Sequence, residues 1–106
     1  MAYYLVSGIP QAGRIDDLQA RLAAGEFMGL RPFGRSLSSS LRNARRRADG
    51  SAVWEEEDYC RPPLAQERAA VLDQYFDKLE IEPVERGEGW KRLAGLPALF
   101  PALGDR

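Results

Sequence analysis

The chain has 106 residues, of which 44% are hydrophobic and 29% are charged, and its formal net charge is -1; this composition is typical of one compact soluble domain. It contains no histidine and a single cysteine, which excludes histidine-based nucleophile systems, imidazole-dependent metal sites and an internal disulfide. The near-neutral charge argues against a protein that works mainly by coating nucleic acid. Because there is no apolar run of about 18 residues and no signal-peptide pattern, we expect a cytoplasmic protein without a membrane span.

The N-terminal part of the chain predicts a strand followed by a helix. Residues 3–9 alternate along a strand, and apolar residues on both faces indicate a central position in a sheet. Residues 14–24 place isoleucine and leucine at helical spacing. Gly25 is a natural C-terminal stop for that helix.

The segment 33–44 allows two interpretations. Leu37 and Leu41 fit one face of a strand, but they also fit one stripe of a helix. The Asp49-Gly50 dipeptide is typical of tight turns, and the residues just beyond it favour a strand. We therefore predict that the segment is a strand and forms a hairpin with the strand after the turn; a helix here would contradict that hairpin.

Residues 62–79 predict the second helix. Two prolines stand at its start, and apolar residues then recur at three- and four-residue spacing. Glu67 falls on the solvent side of this predicted helix. Residues 80–85 follow as a short strand, and Pro83 restricts that strand to the edge of a sheet.

The predicted order is strand, helix, strand, strand, helix, strand. It resembles the ferredoxin-like split βαβ fold of the α+β class, with a four-stranded antiparallel sheet and two helices on one face. We assign residues 1–86 to this domain. The fold serves many unrelated functions. One branch, the dimeric α+β barrels, covers the bare face of the sheet by pairing two subunits, so the resemblance implies a homodimer.

Residues 87–106 form an apolar C-terminal tail outside this order. Disordered linkers are normally poor in apolar residues. We therefore expect the tail to pack, either on the same domain or on a partner subunit. The candidates for an interface are Trp90, Leu96, Leu99, Phe100 and Leu103.

Opposite charges are separated between the two arms of the predicted hairpin. Arginines without any acidic residue occupy the stretch before the turn, and carboxylates without any basic residue occupy the stretch after it. A two-residue turn would place Arg42 opposite Glu57 and Arg45 opposite Trp54. These pairs would form a cross-strand ion pair and a cation–π contact, which need no ligand.

The carboxylates after the turn are also candidates for a binding or catalytic site. Successive side chains of a strand change face, so Glu55 and Glu57 lie with Tyr59, whereas Glu56 and Asp58 lie on the other face. A carboxylate on a covered face needs a partner, or it keeps a proton and can act as a general acid or base. The candidate catalytic residues are therefore Glu55, Glu56, Glu57, Asp58, Tyr59 and Arg42.

No cofactor and no metal are expected. Oxygen ligands alone would suit Mg, Mn or Ca, but strand alternation prevents neighbouring carboxylates from converging. Cys60 has no second thiol or base nearby in the sequence, so we interpret it as a small half-buried residue at a strand end. Arg45, Arg46 and Arg47 are candidates for binding phosphate or RNA, although the predicted strands lack the aromatic platform of ferredoxin-like RNA-binding domains.

Three functions follow, in this order. The first is a small self-associating binding or interaction module without catalysis of its own, which the apolar tail favours. The alternative is a dimeric α+β-barrel-type enzyme, or a binder of small polar ligands, that uses carboxylate, tyrosine and arginine groups. RNA or phosphate binding through the arginines at the hairpin tip comes third, because the overall charge disfavours a nucleic-acid partner.

Overall fold

The computed structural model describes residues 2–103, which form an α+β domain with a four-stranded antiparallel sheet. Neighbouring strands follow the order β2-β3-β1-β4. Within the described range, no helix is both long enough and apolar enough to cross a membrane. In chain order the elements are β1 (Ala2–Pro10), α1 (Ile15–Ala23), α2 (Gly34–Arg42), β2 (Arg45–Arg46), β3 (Ala52–Asp58), α3 (Ala65–Ala70), a 3-10 helix (Leu72–Gln74), β4 (Phe76–Val84) and α4 (Glu88–Leu93).

β1 lies in the centre of the sheet, as its sequence predicts. Leu5 and Val6 are both buried although they point to opposite faces, so both faces of the sheet are covered. The larger core surrounds Val6 and Trp54 on one face. A smaller core joins Leu5 and Val53 to α4 on the other face. The second face is covered by α4, which belongs to the C-terminal tail outside the two predicted helices.

The segment that we predicted as a strand, residues 33–44, is mostly the helix α2. Leu37 and Leu41 are fully buried in the larger core, and a helix satisfies its own backbone hydrogen bonds while it presents this stripe. The start of α2 lies very close to the preceding loop, since a Cβ at Gly34 would collide with the carbonyl oxygen of Phe27. The leucine spacing therefore belongs to the helical alternative.

The hairpin exists, but it is shorter than predicted and its register differs by one residue. β2 and β3 pair Arg45 with Val53, so Arg45 does not lie opposite Trp54 as predicted. The connecting loop has five residues, 47–51, instead of a two-residue turn. A shift of one residue exchanges the two faces of a strand, which is why Arg45 does not meet Trp54.

The predicted second helix, residues 62–79, is divided. α3 ends at Ala70, and a 3-10 helix leads into β4 at Phe76. β4 lies at the edge of the sheet, as predicted for residues 80–85, but it begins four residues earlier. Pairing with β1 supplies backbone hydrogen bonds to this stretch, and such tertiary pairing commonly overrides a helical pattern.

The described part of the C-terminal tail, residues 87–103, packs on its own domain. Leu99, Phe100 and Leu103 are buried in the larger core, whereas Leu96 packs on the smaller one. Between them the tail passes the edge of the sheet, where the carbonyl oxygen of Pro97 accepts a hydrogen bond from a β2 amide at 2.9 Å. The tail thus connects the two cores around the β2 edge.

Candidate functional site

The carboxylates of β3 lie on alternate faces of the sheet, as predicted. Glu55 is paired with Leu5, and Glu56 is paired with Tyr4. Because both faces are covered, Glu55, Glu56 and Asp58 are all buried. Burial of an ionisable carboxyl is costly without a partner, so the contacts of each one decide its role.

Glu55 has a structural role. Its carboxylate accepts hydrogen bonds from the backbone N–H groups of Gly87 at 2.9 Å, Gly89 at 2.8 Å and Trp90 at 3.4 Å. A Cβ at Gly89 would lie 2.9 Å from the Glu55 Oε1 atom, so the helix backbone approaches as closely as glycine allows. The carboxylate holds the start of α4 and is satisfied without a ligand.

Glu56 is only partly satisfied. Its Oε1 atom accepts a hydrogen bond from the indole Nε1 of Trp54 at 3.0 Å, but its Oε2 atom is buried without a hydrogen-bond partner. Burial and the neighbouring charge of Glu67 raise the pKa of Glu56 well above its ordinary value, and the Trp54 hydrogen bond opposes them only in part. Glu56 therefore favours the protonated form in the folded protein.

Asp58 organises the turn between β3 and α3. Its Oδ2 atom accepts hydrogen bonds from the backbone N–H of Cys60 at 3.1 Å and of Leu64 at 2.5 Å. Leu64 itself has a left-handed backbone, with φ of 63°. Burial alone would raise the pKa of Asp58, but the side chain of Glu67 and these two N–H groups lower it overall. Asp58 is therefore the ionised carboxylate of this region.

The prediction that Glu67 faces solvent is wrong, because its side chain is fully buried. The turn reverses the chain and directs the first helical turn of α3 back toward the end of β3. The Glu67 Oε1 atom lies 3.8 Å from the Cys60 Sγ, which donates to it, whereas no N–H, O–H or S–H group among residues 2–103 donates to Oε2. In the side-chain hydrogen bond between the two carboxyls, Glu67 carries the proton and Asp58 accepts it. Burial and the neighbouring Asp58 carboxylate raise the pKa of Glu67 to about 7.

Asp58, Cys60 and Glu67 form one cluster, which we call the acidic cluster. Each side chain contributes a potential ligand atom, and these atoms all lie within 4.8 Å of one another. Cys60 is half-buried. A backbone hydrogen bond at Gln66 lowers the pKa of its thiol, but partial burial and the charge of Asp58 raise it overall, so the isolated protein favours the thiol over the thiolate.

A pocket of about 450 Å³ opens beside the acidic cluster. Phe33 and Ser36, from the start of α2, form one part of its wall, and Tyr59 forms another. None of the described residues that line it is lysine or arginine. The pocket therefore combines buried carboxyls with aromatic walls and has no positive charge of its own.

The remaining candidates around β3 lie outside the acidic cluster. Glu57 accepts hydrogen bonds from the hydroxyls of Tyr3 at 3.1 Å and Tyr59 at 3.5 Å. Tyr59 is 66% exposed. The predicted ion pair between Arg42 and Glu57 does not form, because Arg42 belongs to α2 and donates to the carbonyl oxygen of Leu22 at 3.2 Å.

The three arginines of the hairpin tip have different surroundings. Arg45 donates from Nη1 to the carbonyl oxygen of Leu96 at 2.6 Å, so it fastens the tail to β2. Arg46 is exposed, and Arg47 is half-buried in the loop. Phosphate or RNA binding by these residues stays a prediction, and its support from Arg45 is weaker because that guanidinium already has a partner.

The interpretation of the sequence missed Cys60 and Glu67. Both lie within nine residues of Asp58, but an uninterrupted helix from residue 62 pointed Glu67 away from the sheet. The available signal was the proximity of a thiol and a further carboxyl to an acidic strand end. These groups form a site only because the turn between β3 and α3 brings them together, and the sequence pattern did not predict that turn.

The chain matches no known family model, and no curated protein or solved structure is significantly similar to it. The fold and the site geometry therefore carry the functional argument.

Proposed function

We propose that this protein binds a small positively charged ligand in the pocket beside the acidic cluster. The observation that carries the proposal is the pair of buried carboxyl oxygens, Oε2 of Glu56 and Oε2 of Glu67, to which no hydrogen-bond donor in the described part of the chain is directed. Native proteins pair nearly all their buried polar atoms, and the exceptions commonly mark a functional site or an unseen ligand.

The energetic cost of burying these two oxygens without donors supports this proposal. A buried polar atom that lacks a partner costs about 1–3 kcal/mol, so two such atoms are unfavourable unless they serve binding. Asp58 adds a negative charge, while Glu67 sits at the pocket wall. A cationic ligand in the pocket would face Asp58 and Glu67, which both line it, whereas an anion would meet repulsion from Asp58.

The shape of the pocket also suits a small ligand. Its volume of about 450 Å³ lies in the range of small-molecule sites. Phe33 and Tyr59 offer aromatic surface, which attracts cations through the faces of the rings. This proposal corresponds to the second function predicted from the sequence, a small-ligand binder that uses carboxylate and tyrosine groups. It includes no catalysis.

Self-association remains a separate proposal. The apolar tail motivated it, and the Leu99, Phe100 and Leu103 side chains are now accounted for by the core of the same chain. The geometry therefore favours ligand binding over an interaction module. Light scattering at micromolar concentration separates the two, since a homodimer would have twice the mass of the chain.

For the fold, we propose a ferredoxin-like arrangement with additions. The sheet order supports it, because β3 lies between β1 and β2 while β1 lies between β3 and β4. Two interleaved split βαβ units produce this order. α2 and the tail are the additions: α2 packs on the same face as α1, whereas the tail with α4 covers the other face and the edge that the simple fold leaves bare.

The binding proposal is tested by titrating the protein with two aromatic probes of opposite charge, benzylammonium and benzoate, while recording backbone amide NMR shifts. We expect benzylammonium to shift the amides of residues 58–67 and benzoate to leave them unchanged. The Glu67→Gln variant should lose this response, whereas the exposed Glu80→Gln variant should keep it. Equal responses to both probes, or shifts confined to another region, would refute the proposal.

A further inference from the structure

The acidic cluster contains three donor atoms of a kind that metal ions bind. Asp58 and Glu67 offer carboxylate oxygens, and Cys60 offers a sulfur, all within 4.8 Å of one another. The turn after β3 holds them together, since Asp58 fixes the backbone of Cys60 and Leu64 through two N–H groups. The three atoms would have to move closer together to surround one ion.

The unpartnered oxygens distinguish this cluster from an ordinary group of acidic side chains. Glu67 is fully buried, yet no N–H, O–H or S–H group among residues 2–103 donates to its Oε2 atom. Glu56 is also fully buried, and its unpartnered Oε2 atom belongs to a carboxyl whose charge interacts with that of Glu67. Carboxyl oxygens left in this way are stabilised by a proton or by a positive centre, and none of the described residues that line the pocket supplies a positive side chain.

We infer that Asp58, Cys60 and Glu67 bind a divalent transition-metal ion of the zinc class. This inference rests on the proposed function and specifies its cation. Zinc accepts cysteine sulfur together with carboxylate oxygen, whereas magnesium and calcium prefer oxygen ligands alone. The mixed donor set therefore favours zinc or cobalt over the hard cations that the carboxylates alone would suit.

The neighbourhood of the three donors fits such an ion. Metal sites with three protein ligands commonly keep a fourth position for water or substrate, and the pocket beside the cluster leaves room for it. Glu56, held by the indole of Trp54, adds a carboxyl behind the cluster. The Cys60 thiol gives up its proton when it becomes a ligand, so metal binding releases protons.

Cobalt absorption spectroscopy tests the inference, because a Co²⁺ ion bound to cysteine shows a sulfur-to-cobalt charge-transfer band. We expect this band when Co²⁺ is added to the intact protein, and we expect Zn²⁺ but not Mg²⁺ to displace it. Cys60→Ser should abolish the band. Glu67→Gln should weaken Zn²⁺ affinity at least about tenfold, since even the loss of an outer partner of a metal ligand costs that much.

The control variant is Glu80→Gln, which removes an exposed carboxylate of β4 and should bind Zn²⁺ like the original protein. Far-UV circular dichroism of each variant checks that the fold is retained, and Cys60→Ala provides a second variant if Cys60→Ser unfolds. If Co²⁺ gives no charge-transfer band, or if Cys60→Ser and Glu67→Gln bind Zn²⁺ as tightly as Glu80→Gln, the metal inference is wrong. A benzylammonium response without metal binding would overturn this inference alone, whereas loss of both would overturn the binding proposal as well.

Discussion

Glu55 and Glu56 are neighbours on β3, and both are buried, but their surroundings differ completely. On one face of the sheet, three backbone N–H groups at the start of α4 surround the Glu55 carboxylate. On the other face, Glu56 has one indole partner and an oxygen with none. Alternation along a strand therefore places a structural carboxylate directly beside a functional candidate.

This difference shows that burial of a carboxyl does not identify a site. A buried carboxylate that accepts several N–H groups is part of the fold, because those groups replace the hydrogen bonds of water. A buried carboxyl with a free oxygen retains an unmet demand for a proton, a donor or a cation. Glu67 shares that property with Glu56, and of the two Glu67 lines the pocket.

The largest expected effect concerns the structural face. Glu55→Ala leaves three backbone N–H groups of the α4 start without their acceptor, and we expect the free energy of unfolding to fall by about 4 kcal/mol, since each unpaired buried donor costs roughly 1–3 kcal/mol. Urea unfolding at pH 7 measures this loss. The matched control is Glu57→Ala, which removes the next carboxylate of the same face, half-buried, and should cost less than about 1 kcal/mol. An equal fall in the free energy of unfolding of both variants would contradict the structural role assigned to Glu55.

The next effect is a pH dependence that belongs to the pocket face. Glu67 ionises near its ordinary pKa of 4.5 in the unfolded chain but at about 7 in the folded protein. Between these values the folded state holds more protons than the unfolded state, so stability falls as the pH rises from 4.5 to 7. The free energy of unfolding is expected to fall by up to about 3 kcal/mol across this window, because each unit of pKa difference corresponds to 1.36 kcal/mol.

Urea unfolding of the metal-free protein at several pH values measures this slope. Glu67→Gln removes the ionisation and should flatten the curve across this window, although Glu56 contributes a residual slope in the same direction, because its pKa is also raised. A stability that rises through this window, or a variant with an unchanged curve, would contradict the assignment.

The smallest effect concerns Glu56. Glu56→Gln keeps the shape of the side chain and supplies N–H donors near Glu67, so we expect a gain of about 1 kcal/mol in the free energy of unfolding at pH 7. The same exchange at Glu55 should be destabilising, because the amide would bring donors to three N–H groups. Unfolding curves of the two glutamine variants at pH 7 provide the measurement. A destabilised Glu56→Gln protein would mean that the carboxyl at this position is structural as well.

The sequence predicted those parts of the fold in which local pattern and packing agree. The central position of β1, the first helix with its end at Gly25 and the edge position of β4 all follow from periodicity, glycine and proline. The identity of residues 33–44 did not, because Leu37 and Leu41 are spaced equally well for both structures. Tertiary burial against the larger core decides for the helix there.

The site was predictable in part. The alternation of carboxylates along β3 follows directly from strand geometry, and it correctly separated Glu55 from Glu56. The contribution of Glu67 depends on the turn at Leu64, whose left-handed backbone no local pattern indicates for a leucine. Cys60 becomes a candidate ligand only after that turn brings the start of α3 back to the strand end.

The most direct test of the account is a crystal structure of the protein soaked with Co²⁺, with anomalous data collected at the cobalt absorption edge. The account predicts an anomalous peak bounded by the side chains of Asp58, Cys60 and Glu67, and no peak beside Glu55. A protein without a peak at the acidic cluster, or with cobalt bound only at exposed carboxylates such as Glu80, would contradict it.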